Sequence, residues 1–473
     1  MSSIQTPTSP PGTETGDASS EFLARSVGVS LLAALAGLMF GLDTGVIAGA
    51  LTFIGDEFHA SAQMQEWIVS SMMAAAAIGS IVAGNLSFRF GRRKALMGAA
   101  VLFLAGSVTC ALAPSVFVLV VGRIFLGLAV GIAAFTAPLY ISEVAVESAR
   151  GSLISCYQLM MTLGIFLAYV VDSFLSYGGH WRWMLGLMTL PALVFCIGCL
   201  FLPDSPRWLM MRGDTRHARL VMRYLRSSPQ EADREIADIA TELKKDHGNV
   251  WTFFRTNSNF RRSVGLGMLL QVMQQLTGIN VLMYYAPKVF QAAHFGVAAS
   301  TWSTAIIGLV NMAATGLAIM FIDRWGRRPL LLLSCVVMTF SMAVAGLLVA
   351  MGASTLPEEI GMVAALLLFV AGFAMGAGPL VWTLCSEIQP LRGRDFGIAC
   401  STFTNWAANW LISNTFLSVL EGLGEARTFW LFAVMNGIFI LVTIGFVPET
   451  KGVSLEAIED HLMSGRPLRD LGR

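Results

Sequence analysis

The stretch RFGRRK, residues 89–94, returns 235 residues later as RWGRRP, residues 324–329. Two other motifs return in the same order at nearly the same offset. SEVAVESARG (142–151) returns as SEIQPLRG (386–393), and PDSPR (203–207) returns as PETKG (448–452). Because the offset is about half of the 473-residue chain, these motifs predict a duplicated unit with one copy in each half.

Long apolar runs fill both halves. Hydrophobic residues make up 55% of the chain and charged residues 13%, roughly half the charged share of a soluble domain. A helix that crosses a bilayer needs about 20 apolar residues. Twelve runs meet this requirement: 28–52, 66–88, 95–113, 115–138, 152–175, 182–202, 262–292, 300–322, 329–351, 359–386, 394–420 and 427–447. The composition therefore predicts an all-α integral membrane protein.

The repeat and the span count together predict the domain organisation. We expect twelve transmembrane helices in two pseudo-symmetric six-helix bundles, joined by a short intracellular helical linker. The predicted segments are a disordered cytoplasmic N-terminal tail (1–27), the first bundle (28–202), cytoplasmic linker helices (203–261), the second bundle (262–447) and a cytoplasmic C-terminal tail (448–473). Duplicated six-helix halves that rock about a central site are a transporter architecture.

Basic residues predict the orientation, because they are concentrated in alternate loops. The loops on the other side of the membrane hold only Arg182, Lys288 and Arg427. The basic loops contain Arg89, Arg92, Arg93, Lys94, Arg150, Arg324, Arg327, Arg328, Arg392 and Arg394, together with the long segment 203–261. Positively charged loops stay on the cytoplasmic side, so both termini are expected to be cytoplasmic.

One carboxyl group, that of Asp43, lies inside the first apolar run. An ionised carboxyl group at membrane depth costs several kcal/mol unless it is paired, hydrated or protonated. Arg123, in span four, is the only basic residue inside the first six spans and is the expected partner. Gly41, Gly45 and Gly49 recur every four residues beside Asp43 and predict a face for close helix contact. The pair either fixes the packing or holds an exchangeable proton.

Motifs spread over nearly the whole chain resemble those of the sugar porter family of the major facilitator superfamily. They are RFGRR (89–93), PLYISEVA (138–145), PDSPRWL (203–209), QQLTGINVLMYYAP (274–287), DRWGRR (323–328), GPLVWTLCSEIQP (378–390) and PETKG (448–452). Within the family, FGLDTGVIAGAL (40–51) and CSEIQPLRGRDFGI (385–398) most resemble the bacterial galactose–proton and arabinose–proton symporters.

The resemblance implies proton-coupled monosaccharide uptake by alternating access in the bacterial inner membrane. The hexose type, galactose or glucose, is favoured over arabinose or another pentose, an uncoupled sugar facilitator, or a transporter-like sugar sensor. The expected partners are a monosaccharide, a proton and the lipid bilayer, without nucleic acid, and a monomer is the expected functional unit. No cofactor, metal site or enzymatic activity is expected, since no Ser-His-Asp or metal-binding constellation is evident.

The family also gives the buried acid an expected role. In sugar porters that resemble this chain, the matching aspartate is typical of proton-coupled members, and uncoupled facilitators have asparagine there. Asp43 is therefore the expected proton carrier, with Arg123 as its counter-ion. Some xylose-type relatives carry a second carboxylate in span six, but 182–202 contains no acid. Coupling is accordingly expected to rest mainly on Asp43.

Amide and aromatic side chains at membrane depth are the expected sugar ligands, because amides both donate and accept hydrogen bonds. Gln271, Gln274 and Gln275 share one face of span seven at i, i+3 and i+4, and Gly278 predicts a helix break before Asn280. Gln271 is the weaker candidate, since it lies a turn outside the site. The candidates are Gln158, Gln274, Gln275, Asn280, Asn311 and Asn405, with Phe40, Tyr284, Phe373, Trp382 and Trp406 as platforms. Each could instead only pack or join helices.

Two further groups are expected to govern conformational change. Gly376, Gly378 and Pro379 predict a kink in span ten, either a hinge or a static bend. The resemblance implies salt bridges that close the cytoplasmic side, with Phe88 replacing the usual motif aspartate. Their candidates are Arg89, Arg92, Arg93, Glu143, Arg150, Asp323, Arg324, Arg327, Arg328, Glu387 and Arg394. Glu143 is expected to substitute for the missing aspartate, so that Glu143→Gln would favour the inward-facing state.

Overall fold

The computed structural model describes residues 14–146, 149–226, 228–243, 250–292, 296–352, 355–390 and 393–453, with isolated positions beyond. These residues form helices and no strand. The first bundle contains α1 (Glu14–Glu57), α2 (Ala62–Phe90), α3 (Arg92–Ala111), α4 (Val116–Val144), α5 (Arg150–Ser176), α6 (Trp181–Leu187) and α7 (Thr189–Phe201). The linker contains α8 (Pro206–Met211), α9 (Thr215–Leu225), α10 (Pro229–Leu243) and α11 (Val250–Thr256).

The second bundle repeats this pattern with more interruptions. It contains α12 (Ser258–Leu276), α13 (Ile279–Ala292), α14 (Val297–Trp325), α15 (Arg327–Ala350), α16 (Leu356–Gly372), α17 (Gly378–Glu387), α18 (Arg394–Ser413), α19 (Phe416–Leu423) and α20 (Glu425–Phe446). A π-helical segment, Phe373–Ala377, separates α16 from α17. We call the helix ends near Arg92 and Arg327 the inner end of the molecule, and the opposite ends the outer end.

The expected helical membrane fold is confirmed, and one expectation about the N-terminus needs correction. Among the described residues, eleven of the expected spans have both the length and the hydropathy for crossing a membrane. The twelfth is α18, which has 20 residues but contains polar Thr and Asn side chains and stops before Asn414. The N-terminal tail was expected to be disordered through residue 27, yet α1 begins at Glu14. Residues 1–13 lie outside the described part.

Glycines let α1 and α5 pack against each other, as the small-residue face predicted. A Cβ atom at Gly41 would lie 1.9 Å from the carbonyl oxygen of Met161. From the other side, a Cβ atom at Gly164 would lie 2.4 Å from the carbonyl oxygen of Leu38. Neither distance is possible for a real side chain, so the two backbones approach as closely as they do only because both positions are glycine.

The three repeated motifs meet in space once in each bundle. Arg92 of α3 donates from Nε and Nη2 to both carboxylate oxygens of Glu143 at 2.9 and 2.8 Å, and Ser205 donates to the same carboxylate. We call these three residues the first inner cluster. In the second inner cluster, Arg327 donates to Glu387 at 3.3 Å and Thr450 donates to the other oxygen of that carboxylate.

The glycine of each RxGRR motif joins two helices at a sharp corner. Gly91, between α2 and α3, has φ +94°, and Gly326, between α14 and α15, has φ +89°. Residues with a side chain avoid this left-handed region. The motif therefore needs glycine for its backbone and the first arginine after it, Arg92 or Arg327, for the inner cluster.

The bundles contact each other from mid-depth to the outer end. At the outer end, Ser70 donates to Asn414 at 2.9 Å. The Glu66 carboxylate accepts from the backbone N–H and the hydroxyl of Ser418 at 2.7 and 2.9 Å. By contrast, the described bonds of both inner clusters stay within one bundle. The described polar contacts at the outer end therefore join the two bundles, whereas those of the inner clusters do not.

Replacing Gly41 by alanine is expected to destabilise the fold. The added methyl group must displace the α5 backbone, and overpacking of this kind costs about 1–3 kcal/mol. Gly28, in the same helix, has no atom within 4 Å of an added Cβ and provides the matched control. Thermal unfolding in one detergent should show a lower midpoint for Gly41→Ala and an unchanged or higher one for Gly28→Ala. Equal midpoints would contradict the packing described here.

Candidate functional site

A buried ion pair joins α1 to α4. Arg123 Nη1 donates to Asp43 Oδ1 at 2.6 Å, and both side chains are fully shielded from solvent. Arg123 also donates from Nε to the carbonyl oxygen of Ile68 at 3.3 Å. The second carboxylate oxygen of Asp43 and Nη2 of Arg123 are buried without a hydrogen-bond partner among the described atoms. The structure thus brings the two predicted residues together but leaves the pair incompletely satisfied.

An amide network connects α12, α18 and the break in span ten. Asn405 Nδ2 donates to Oε1 of Gln271 at 2.6 Å and to Oε1 of Gln274 at 3.0 Å. Gln274 Nε2 in turn donates to the carbonyl oxygens of Ala377 and Gly378 at 2.9 and 3.1 Å. Gln271, the weaker candidate from sequence, therefore holds Asn405 in place. Most of the hydrogen-bonding capacity of Gln274 is used inside the protein.

A second amide pair lies at the break between α12 and α13. Gly278 has φ +89°, which confirms the predicted break. At this break Asn280 lies against Gln275, and Asn280 Nδ2 donates to Gln275 Oε1 at 2.6 Å. This bond uses the donor of one amide and the acceptor of the other. The Gln275 amide N–H groups and the Asn280 amide oxygen remain for a ligand.

An aromatic contact crosses between the bundles at the same depth. The rings of Phe40 in α1 and Trp406 in α18 have centroids 5.5 Å apart. The Trp406 indole N–H is buried without a hydrogen-bond acceptor among the described residues. A buried donor without an acceptor is costly, and a ligand hydroxyl would satisfy it. Phe40 is three residues before Asp43, so this contact and the ion pair belong to the same stretch of α1.

The other candidate sugar ligands take no part in the amide and aromatic contacts described above. Tyr284 instead accepts a hydrogen bond from Asn409 Nδ2 at 3.3 Å. Trp382 is 40% exposed and Asn311 is 7% exposed. Gln158 and Phe373 are half-buried. These side chains lie on different helices, and their role as sugar ligands stays a prediction.

Sequence reasoning missed two polar residues of this region. Asn409 is buried on α18, one turn after Asn405; its i, i+4 spacing was the available signal. Asp172 is buried on α5 and accepts a hydrogen bond from the backbone N–H of Gly49 at 3.2 Å. The available signal was an acidic residue inside the apolar run at 152–175.

The predicted kink in span ten is a π-helical segment. Gly376 lies in this segment, and Gly378 and Pro379 begin α17. A wider π turn and a proline both leave carbonyl oxygens without their usual partners. Gln274 supplies a donor to two of them, as described above. The bend therefore exists, and its movement as a hinge stays a prediction.

The cytoplasmic candidates outside the two inner clusters bind backbone atoms of their own bundle. Arg93 donates to the carbonyl oxygen of Leu200 at 2.7 Å, and Arg328 to that of Ile444 at 2.8 Å. Arg394 donates to the carbonyl oxygen of Ser386 at 3.1 Å. Arg89, Arg150 and Arg324 also lie at the inner end. The side chain of Asp323 is outside the described part.

Two capping contacts at the inner end were not anticipated. Glu449 accepts from the backbone N–H groups of Arg327 and Arg328, both at 3.1 Å, and so caps the start of α15. In the first bundle, the Trp208 indole N–H donates to the carbonyl oxygen of Phe88 at 2.8 Å. At Phe88, where the usual aspartate is missing, the linker thus binds the end of α2.

An apolar crevice lies apart from these residues, between α13, α15, α19 and α20. Its lining includes Val281, Leu282, Met342 and Phe429. A sugar needs hydrogen-bonding groups, and this crevice offers mainly hydrocarbon. The amide-lined region between the bundles is therefore the candidate site.

Comparisons with known proteins agree with this geometry. The sequence model of the family described as sugar (and other) transporter matches residues 29–462. The galactose-proton symporter of Escherichia coli K12 is 54% identical over 445 residues, which cover 94% of this chain and 96% of the relative. The arabinose-proton symporter of the same strain is 49% identical over 453 residues, covering 94% and 95%.

A solved structure is similar over nearly the whole chain. The xylose transporter XylE of Escherichia coli, in a partially occluded inward-open conformation, superposes with a TM-score of 0.80 at 30% identity. The match covers 91% of this chain and all of that one. Its described conformation agrees with the contacts that join the two bundles at the outer end here.

Glu143→Gln is expected to destabilise the first inner cluster. The substitution removes the charge that holds Arg92, whose side chain is 7% exposed, and hydrogen bonds to charged groups contribute about 1.5–3 kcal/mol. The control is Glu57→Gln, because Glu57 pairs with Arg182 at the surface, where both side chains are about 40% exposed. Exposed pairs contribute at most about 1 kcal/mol. Thermal unfolding should therefore separate the two variants, and similar midpoints would contradict a structural role for the cluster.

Proposed function

This chain belongs to the sugar (and other) transporter family, and on that basis we propose that it takes up a monosaccharide together with a proton by alternating access. The observation that carries the proposal is the fully buried Asp43–Arg123 pair, on the same helix as Phe40, whose ring contacts Trp406 of the second bundle. The similarity to galactose-proton and arabinose-proton symporters supports both the sugar and the proton.

The proton binds Asp43 in this proposal. A carboxylate in the interior is tolerated while Arg123 neutralises it, and becomes costly when the pair separates. Protonation removes the charge and releases Arg123, so that α1 and α4 can shift against each other. Asp43 Oδ2 accepts no hydrogen bond from the described residues, so it is the oxygen that binds the incoming proton.

The sugar binds where the two bundles meet. Gln275 and Asn280 provide a donor and an acceptor on one side, and the free indole N–H of Trp406 provides a donor beside them. Trp406 packs on Phe40, and Phe40 is one helical turn from Asp43. A sugar that moves Trp406 therefore acts on the stretch of α1 that holds the proton, which couples the two substrates.

The membrane potential supplies enough free energy for this coupling. One elementary charge moving through 100 mV releases about 2.3 kcal/mol, and a tenfold concentration gradient requires about 1.4 kcal/mol. One proton per sugar can therefore sustain a gradient of about fortyfold. At one proton per sugar, Asp43 alone suffices as the binding site of the transported proton.

We further propose a hexose substrate, a monomeric carrier and cytoplasmic termini in the bacterial inner membrane. The higher identity to the galactose-proton symporter supports the hexose preference, and the similarity to these bacterial symporters supports the inner membrane. The positively charged loops support cytoplasmic termini. Arabinose is the second candidate substrate. Uptake of labelled galactose, glucose, arabinose and xylose, with and without a protonophore, tests these statements together; no accumulation of any of them would exclude proton-driven monosaccharide uptake.

Asp43→Asn should abolish accumulation while sugar exchange continues. Asparagine keeps the shape of the side chain and its hydrogen bond from Arg123 but cannot exchange a proton. The measurement is uptake of labelled sugar in energised vesicles, followed by counterflow without a proton gradient. The variant should reach only equilibrium in the first assay and retain activity in the second. Protonophore-sensitive accumulation by Asp43→Asn would overturn the assignment of the proton site.

Gln275→Ala should weaken sugar binding. Loss of a ligand hydrogen bond costs about 1–2 kcal/mol, which corresponds to a roughly 5- to 30-fold rise in KM. The matched control is Gln389→Ala, another buried glutamine, which bonds to Ser263 near the inner end. The control is expected to lower stability but leave KM within about twofold. A rise in KM shared by both variants would place Gln275 outside the sugar site.

A further inference from the structure

Asp172, on α5, is a second buried carboxyl group in the membrane-spanning region. The side chain is 1% exposed, and Oδ2 accepts one hydrogen bond, from the Gly49 backbone N–H at 3.2 Å. Oδ1 is buried and has no partner among the described atoms. A Cβ atom at Gly49 would lie 2.4 Å from Oδ2, so α1 packs directly onto this carboxyl group and excludes water there.

No described cation neutralises this group. The ionisable side chains on the helices packed around it are already engaged, and α14 carries none between 297 and 321. Those groups are Asp43 with Arg123, Glu57 with Arg182, Glu143 with Arg92, and Lys288 with Gln65, besides Arg25 over the Tyr224 ring, the exposed Asp56 and Arg150, and the tyrosines Tyr140, Tyr157, Tyr169, Tyr284 and Tyr285. An unpaired carboxylate in such surroundings costs several kcal/mol. The carboxyl group of Asp172 is therefore neutral in this conformation.

The position of Asp172 connects that proton to the outer end. Tyr169, Asp172 and Ser176 follow each other at i, i+3 and i+7 and so share one face of α5. On this face the Tyr169 hydroxyl donates to the carbonyl oxygen of Met283 at 2.6 Å, and Ser176 lies 3.4 Å from the Thr301 hydroxyl. Both contacts join the first bundle to the second, and both must break when the outer end opens.

We propose that Asp172 is a second proton-binding residue, protonated when the outer end is closed and ionised when it opens to the outside. The proposal rests on alternating access as proposed above. Opening of the interface admits water to the face that carries Asp172, and a hydrated carboxyl group ionises at neutral pH. The proton is taken from the outside on closure and returned to the outside on opening. Unlike the proton on Asp43, it is not transported.

The sign of the pH effect follows from linkage. The closed state binds one more proton than the open state, so acid outside favours closure and alkali favours opening. A single proton changes the ratio of open to closed carriers by at most about tenfold per pH unit. Asp172→Asn removes this dependence and keeps an acceptor oxygen for the Gly49 N–H group.

The test measures opening directly. Nitroxide labels replace Met64 and Leu423, two exposed residues at the outer ends of α2 and α19, and pulsed electron resonance gives their separation in nanodiscs from about pH 5 to pH 8. Wild type should open up to about tenfold more per pH unit. Asp172→Asn should show an open fraction that does not change with pH, while the control Asp56→Asn, an exposed acid on α1, should follow wild type. An unaltered pH response of Asp172→Asn would overturn the proposal.

Two further readouts separate this idea from the proposed transport function. Infrared difference spectra between wild type and Asp172→Asn at neutral pH should contain the C=O band of a protonated carboxyl group. The absence of that band would overturn the proposal even if the variant folds poorly, because wild type supplies the signal. Neither spectroscopic test requires sugar uptake. In vesicles, Asp172→Asn should still accumulate sugar and lose less activity as external pH rises. Exchange without accumulation, as expected of Asp43→Asn, would make Asp172 a carried-proton site and contradict the proposal.

Discussion

The Asp43–Arg123 pair satisfies the strictest constraint on this chain, which is that no charge inside a membrane can remain alone. The pair fixes α1 against α4, while the glycines of α1 let α5 approach the other side of the same helix. A helix held in this way by one ion pair and one close backbone contact can move only when the ion pair is lost. In the proposed mechanism a proton that binds Asp43 provides this freedom, and Phe40, which packs on Trp406 of the second bundle, lies on the same helix.

The duplicated motifs owe their recurrence to a shared piece of geometry. In each bundle an arginine after a left-handed glycine, a glutamate from a different loop and a hydroxyl from the segment after the sixth span meet at the inner end. Three distant stretches of sequence are thus conserved between the halves because they form one cluster. The first cluster is the more tightly bonded, with a two-atom contact between Arg92 and Glu143.

Periodicity and charge predicted the helices well, because long apolar runs have few alternatives in a bilayer. The break at Gly278 and the pairing of Asp43 with Arg123 also followed from local chemistry. The hydrogen-bond partners of the amide side chains did not follow from the sequence. Gln274 and Asn405 bind each other and the backbone, and this depends on helix rotations that no spacing rule gives. Asp172 was missed for a different reason: its isolation is visible only once the neighbouring helices are in place.

Gln274 makes the bend in span ten depend on an amide that the sugar site could compete for. Its side-chain amide nitrogen donates to the carbonyl oxygens of Ala377 and Gly378 at the π turn. A sugar hydroxyl that binds the Gln274 amide removes these two hydrogen bonds from the bend. Sugar binding at the proposed site is thereby transmitted to span ten as the loss of these hydrogen bonds.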